Sequence, residues 1–203
     1  MRLYSSPTSP YVRKVHLVLR ETGQLDDVEM VGAIGTPLDS SKMPTEHNPL
    51  GKIPALVLDD GSALFDSRVI CRYFDDRASA GLYGSGETTW TLQTLEAAAD
   101  GILDAALLMV YEARVRPEDK QFAEWVEGQW GKISAALNML EGRAMNSLSS
   151  DKINIAQISV ACALSYLDFR HGDRAWQTGR EKLAAWHAEF SERASMQATV
   201  PVG

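Results

Sequence analysis

Up to Ser79 the hydrophobic and polar positions switch between strand-like and helix-like spacing. Arg2 to Ser5 reads as a short strand. Pro10 to Thr22 reads as a helix, because Val12, Val15 and Leu19 recur at helical intervals and would face a core. Ser9 before Pro10 fits an N-cap followed by proline at the first helical position, and Gly23 stops the helix. Val28 to Ala33 predicts a second strand. The polar stretch after it, with Pro37, Pro44 and Pro49, leaves room for at most one short helix. Pro54 to Leu58 and Ser62 to Phe65 predict two strands joined at Asp60-Gly61, a hairpin-turn pair. A helix then runs from Asp66 to about Ala78, with Val69, Ile70, Tyr73 and Phe74 on one face. The order β-α-β-(α)-β-β-α follows. Its last two strands must be antiparallel, and its first β-α-β unit requires a parallel crossover.

Gly81, Gly84 and Gly86 mark the one plausible linker, and beyond it the pattern is helical throughout. The organisation predicted is therefore residues 1–79 as one domain, 80–86 as linker and 87–203 as a second, all-helical domain. Leu92, Leu95, Ala99, Ile102, Ala106 and Met109 carry a long helix that Arg116-Pro117 closes. Phe122, Trp125, Val126, Trp130, Ile133, Leu137 and Leu140 carry another, from about Glu118 to Met145. Two long amphipathic helices joined by a short turn should pack antiparallel. Asn154 and Gln157 have the spacing of a capping box, and Ile153 and Ile158 that of a hydrophobic staple. The helix they open, Asn154 to Arg170, is apolar nearly all round and should be buried. A last helix covers about Glu181 to Arg193.

Composition narrows the function. The apolar share of 45% and charged share of 23% are those of an ordinary globular protein. A net charge of −7 without any Lys/Arg run argues against nucleic acid, which needs a clustered positive surface. No apolar stretch reaches membrane-spanning length, and the N-terminus lacks the pattern of a signal peptide. Cys71 and Cys162 stand far apart within helical patterns, so a disulfide framework or a CxxC redox pair is not expected. They read as buried small apolar residues in a protein of the reducing cytoplasm. His16, His47, His171 and His187 share no metal-ligand spacing, and no metal is expected.

Several of the chain's motifs resemble those of the glutathione transferase superfamily, over nearly its whole length. Asn48-Pro49-Leu50-Gly51-Lys52-Ile53-Pro54 resembles its segment before a cis-proline. Leu64-Phe65-Asp66-Ser67 is similar to its acidic-serine motif at a helix start. Ser9-Pro10-Tyr11-Val12-Arg13-Lys14 is similar to the N-terminal catalytic segment of several bacterial branches. The tail Arg193 to Thr199 also resembles family members, and together these motifs resemble the bacterial YibF-like branch. The resemblance implies a thioredoxin-like βαβαββα domain followed by an all-helical domain, assembled as a homodimer. Two departures stand out: the capping box carries Asn and Gln in place of Ser or Thr with Asp, and neither Thr8 nor Ser9 is a cysteine.

For this family the chemical task is to make the thiol of glutathione nucleophilic. A free thiol of pKa near 8.5 is only about 3% thiolate at pH 7. Lowering the pKa by about two units gives roughly three quarters thiolate, a differential stabilisation of about 2.7 kcal/mol. A hydroxyl donor together with a helix N-terminus can provide that. Ser9 is the first candidate and Thr8 the alternative, with Ser6 more distant; read locally, Ser9 is equally an ordinary N-cap. At the next helix start, Ser67 would bind the γ-glutamyl carboxylate and Asp66 its ammonium. Ile53, before a cis-Pro54, would pair through its backbone with the cysteinyl unit, and Lys52 would meet the glycyl carboxylate. The resemblance puts a second-substrate pocket at Tyr11, Asp104, Leu108 and Tyr111. Asp100 and Asp104 lie four apart on one helical face.

The function expected is that of a detoxifying glutathione transferase, with glutathione as co-substrate and a small electrophile as acceptor. The alternative is a non-catalytic binding or regulatory protein on the same fold.

Overall fold

A computed structural model describes residues 1–202. They form two compact units, one of Met1–Leu82 with the C-terminal segment that begins at Ala194, the other of Tyr83–Arg193. The sequence pattern had assigned everything after residue 86 to the helical domain. The C-terminal segment instead belongs with the first unit, because Arg13 and Glu21 hydrogen-bond to it.

In the first unit, β1 (Arg2–Ser5), α1 (Pro10–Glu21), β2 (Glu29–Gly32), β3 (Ala55–Val57), β4 (Ala63–Leu64) and α2 (Ser67–Ala78) follow the expected order. A short 3-10 turn, Leu25–Asp27, precedes β2, and the segment between β2 and β3 is loop without a helix. The sheet has the order β2-β1-β3-β4, with β1 parallel to β2 and antiparallel to β3, and β3 antiparallel to β4. Asp60-Gly61 turns the hairpin: Leu58 N–H donates to Ser62 O at 2.8 Å, and Gly61 takes φ +87°, where a side chain would be strained.

Helices α1 and α2 pack on each other. Burial in α1 goes well beyond the predicted Val12, Val15 and Leu19 to include Arg13, Lys14, Leu17 and Val18. A short helix α8 (Ala194–Gln197), absent from the sequence reading, closes this unit against α1.

The second unit contains α3 (Glu87–Val115), α4 (Ala123–Met139), α5 (Met145–Leu148), α6 (Ile155–His171) and α7 (Glu181–Ser191). Its core is α6 packed against α3, and α6 is apolar nearly all round, as predicted. The Asn154–Gln157 capping box is complete: Gln157 N–H donates to Asn154 Oδ1 at 3.0 Å, and Asn154 N–H donates to Gln157 Oε1 at 2.9 Å.

Helix α4 departs from its predicted bounds at both ends. Residues 118–120 form a 3-10 turn, and the helix starts only at Ala123. The buried Glu112 carboxylate accepts from Phe122 N–H at 3.0 Å and from Arg116 Nε at 2.8 Å, fixing the chain just before the start. At the far end residues 140–144 form a π-turn. Within it Glu141 accepts from Leu183 N–H at 2.8 Å, supplying the cap that Arg180 does not provide for α7. Helix α7 ends at Ser191, two residues short of the predicted Arg193.

Candidate functional site

Strand register brings the separate motifs of the first unit to one end of its sheet. Tyr4 lies opposite Ala55, so the end of β1 adjoins the start of β3. Leu56 lies opposite Leu64, so the end of β4 arrives at the same edge. Ser9 follows β1, Ile53-Pro54 precedes β3, and Asp66-Ser67 follows β4. The N-termini of α1 and α2, with their exposed N–H groups and positive dipole ends, therefore open at this edge.

Ser9 caps α1. Its backbone is extended (φ −83°, ψ 119°), Pro10 occupies the first helical position, and Ser9 Oγ accepts from Val12 N–H at 3.3 Å. Capping uses only an acceptor lone pair. A hydroxyl has one donor and two acceptor sites, so the Ser9 O–H proton stays available for an anion. Capping and donation to an anion are thus compatible in one geometry. Thr8 Oγ1 lies 3.2 Å from Ser6 Oγ. All three hydroxyl residues are half-buried.

The Ile53–Pro54 peptide bond is cis, and so is Phe65–Asp66. The approach to Pro54 is braced by Asn48, whose functional weight the sequence reading did not single out. Asn48 is buried, its Nδ2 donates to Lys52 O at 2.9 Å, and its Oδ1 accepts from Leu50 N–H at 3.1 Å. Gly51 completes the turn at φ +60°. The signal was Asn48 itself, since an Asn side chain bonds the backbone two residues on in an Asx-turn. Among the described residues neither the N–H nor the C=O of Ile53 is engaged in a hydrogen bond. Lys52 is exposed.

At the second helix start, Asp66 is the N-cap and accepts from Arg68 N–H at 3.0 Å. Its other oxygen pairs with Arg68 Nη2 at 2.8 Å. Partial burial pushes the Asp66 carboxyl up, but the Arg68 hydrogen bonds and the charges of Arg68 and Lys14 outweigh it, holding the group below the ordinary carboxylate range. Ser67, by contrast, is buried at the first position of α2. Lys14, fully buried in α1 with its charge felt at Asp66, was not foreseen; a lysine inside an amphipathic pattern reads as solvent-facing.

The predicted second-substrate residues divide between the units. Tyr11 stands in the first turn of α1 and is half-buried. Asp104, Leu108 and Tyr111 share one face of α3 at spacings of four and three. Asp104 and Leu108 are exposed, whereas partial burial raises the Tyr111 hydroxyl above its usual range. Asp100, four residues before Asp104, is buried. Cys71 and Cys162 are buried free thiols.

The family model for the glutathione S-transferase N-terminal domain matches residues 8–77, and that for the glutathione S-transferase C-terminal domain matches residues 123–189. The uncharacterised GST-like protein YibF of Escherichia coli K12 is 35% identical over 99% of this chain and 98% of its own length. A glutathione transferase family member from Pseudomonas fluorescens Pf-5, solved with bound glutathione, is 46% identical and superposes with a TM-score of 0.94 over 100% of this chain and 99% of that one. A second structure from the same organism holds S-(propanoic acid)-glutathione and superposes with a TM-score of 0.91 at 46% identity, over 100% of both chains. The chain belongs to the glutathione S-transferase family.

Proposed function

We propose that this protein is a cytoplasmic, homodimeric glutathione transferase that binds glutathione at the sheet edge formed by β1, β3 and β4. The observation that carries the reading is the convergence of Ser9, Ile53-Pro54 and Asp66-Ser67 at that edge through strand register. The Pseudomonas relative, solved once with glutathione and once with S-(propanoic acid)-glutathione, supports it.

The tripeptide lies antiparallel beside the chain at Ile53, whose unengaged N–H and C=O pair with the cysteinyl backbone in the manner of an added strand. Its γ-glutamyl carboxylate sits on the N-terminus of α2 at Ser67, and Asp66, anionic at neutral pH, takes the ammonium. Lys52 meets the glycyl carboxylate. The sulfur then faces the N-terminus of α1, where the Ser9 hydroxyl donates to the thiolate while the helix dipole adds to its stabilisation; Thr8 is the other hydroxyl at this position. The thiolate attacks a small electrophile held near Tyr11, in the first turn of α1. Carbon–sulfur bond formation consumes the thiolate electron pair, and a leaving group departs or a proton is taken up by the adduct. Such conjugation is detoxification chemistry.

The test is titration of glutathione bound to wild-type protein, followed by its thiolate absorbance. A bound thiol pKa well below that of free glutathione is expected. Binding with no such depression would leave a protein that holds glutathione without activating it, the non-catalytic alternative.

A further inference from the structure

The residue that closes the first turn of α1 also holds the end of the chain. Arg13 N–H donates to Ser9 C=O at 3.0 Å, the first i to i−4 bond of the helix. Its side chain turns to the C-terminal segment, where Nε donates to Thr199 Oγ1 at 3.2 Å and Nη2 to Met196 O at 3.2 Å. Nη2 also lies 3.9 Å from Met196 Sδ. Arg13 is 7% exposed and Met196 1%, so the bond to Met196 O is made out of water, where a charge-assisted bond counts for more than at a surface, and the bond to Thr199 is partly buried.

Two further contacts set the direction of the segment. Ser195 Oγ donates to Glu21 Oε1 at the C-terminal end of α1. Thr199 is held at Arg13, two turns nearer the N-terminal end, and its own hydroxyl donates to Ser195 O at 2.9 Å. The segment therefore runs antiparallel to α1, toward Ser9. Helix first turns are where fraying concentrates, because their N–H groups lack internal partners. Here the turn that carries Ser9 is clamped one residue into the bonded helix by a buried cation fixed from outside.

We propose that Arg13 is a positioning residue: by tying residues 195–199 to α1 it fixes the first turn of that helix, and with it the direction of the Ser9 hydroxyl. The inference rests on the role given to Ser9 above. Displacement of a reacting group by about 1 Å can lower a rate about a hundredfold, so a small loosening is enough to register. Glutathione affinity, set at Ile53, Asp66 and Ser67, should be little affected.

The test uses full-length protein with Arg13→Gln, Thr199→Val and the two combined. Three quantities are read: the bound-thiol pKa, the glutathione affinity, and amide hydrogen exchange of residues 194–199. Both single variants should speed exchange of the segment, raise the bound-thiol pKa by about half a unit or more, and lower kcat with KM for glutathione within about threefold. The double variant should be no worse than Arg13→Gln, since both changes break one tie. Thr199→Val preserves shape, so it reports even if Arg13→Gln fails to fold. A freed segment with a wild-type thiol pKa would overturn the inference, as would a segment that stays protected in both variants. If wild-type protein itself shows no depressed thiol pKa, the Ser9 reading fails first, and that outcome is distinguishable from the other two.

Discussion

Tyr4 faces Ala55 across the antiparallel pairing of β1 and β3, and this one register places Ser9 and Pro54 at the same end of the sheet. Side chains alternate faces along a strand, so a slip of one residue would turn every inward residue of β3 outward. Leu3 and Leu56, opposite one another and fully buried, hold the register. The site is therefore a consequence of core packing as much as of its own polar residues.

The proposed function gives Ser9 a second role beside its cap, and the two are separable. Ser9→Ala should lose the cap, costing about 1 kcal/mol of stability, and should lower conjugation about tenfold or more by raising the bound-thiol pKa. Ser9→Asp should keep the cap and the melting temperature, yet abolish activity, because a carboxylate there repels the thiolate. Melting curves with steady-state kinetics on both variants check this. Equal activity in wild type and Ser9→Asp would refute the role.

Ser67→Ala should weaken glutathione binding by about five- to tenfold, equivalent to one charge-assisted hydrogen bond of ~1–1.4 kcal/mol. Saturating glutathione should restore turnover. Calorimetric titration is the direct measurement, and unchanged affinity would remove Ser67 from the site.

The buried capping box of α6 should matter for stability and not for chemistry. Asn154→Ala should destabilise the protein by ~1–2 kcal/mol. Gln157→Ala should cost at least as much, because Gln157 Nε2 also satisfies Leu148 O and Ser150 O, at 2.8 Å each. Chemical denaturation gives both values; a neutral Gln157→Ala would contradict the account.

Stability should also fall on mild acidification. His171 donates from Nε2 to Ala106 O at 3.0 Å, and burial is the main reason that its pKa lies below the ordinary value. The folded pKa is thus below the unfolded one, near 6.5. Its contribution is complete above the unfolded pKa and is lost as pH falls toward the folded value, since the unfolded chain then binds the extra proton. Melting temperature should drop between about pH 7.5 and pH 5.5, and His171→Gln should reduce that drop. An identical drop in the variant would assign the effect elsewhere.

Much of this structure was legible from local pattern. Period-2 and helical spacing, Asp60-Gly61 and the Asn154–Gln157 pair each encode their element within a few residues, so strands and helices fall close to their predicted places. What escaped depends on partners distant in sequence. Arg13 reads as a surface charge until Thr199 and Met196 arrive to accept its hydrogen bonds, and Lys14 reads the same way although it is fully buried. Glu141 gives no local sign that it caps α7. The true start of α4 depends on Glu112 reaching Phe122, which no periodicity announces. In the candidate site the motifs were visible singly, but their convergence required the register of three strands.

The most direct measurement is the bound-thiol titration repeated on Ser9→Ala and Thr8→Ala. The account predicts a bound pKa about two units below free glutathione in wild type and Thr8→Ala, returning toward the free value in Ser9→Ala. A depression that survives Ser9→Ala, or one that vanishes only in Thr8→Ala, would contradict it.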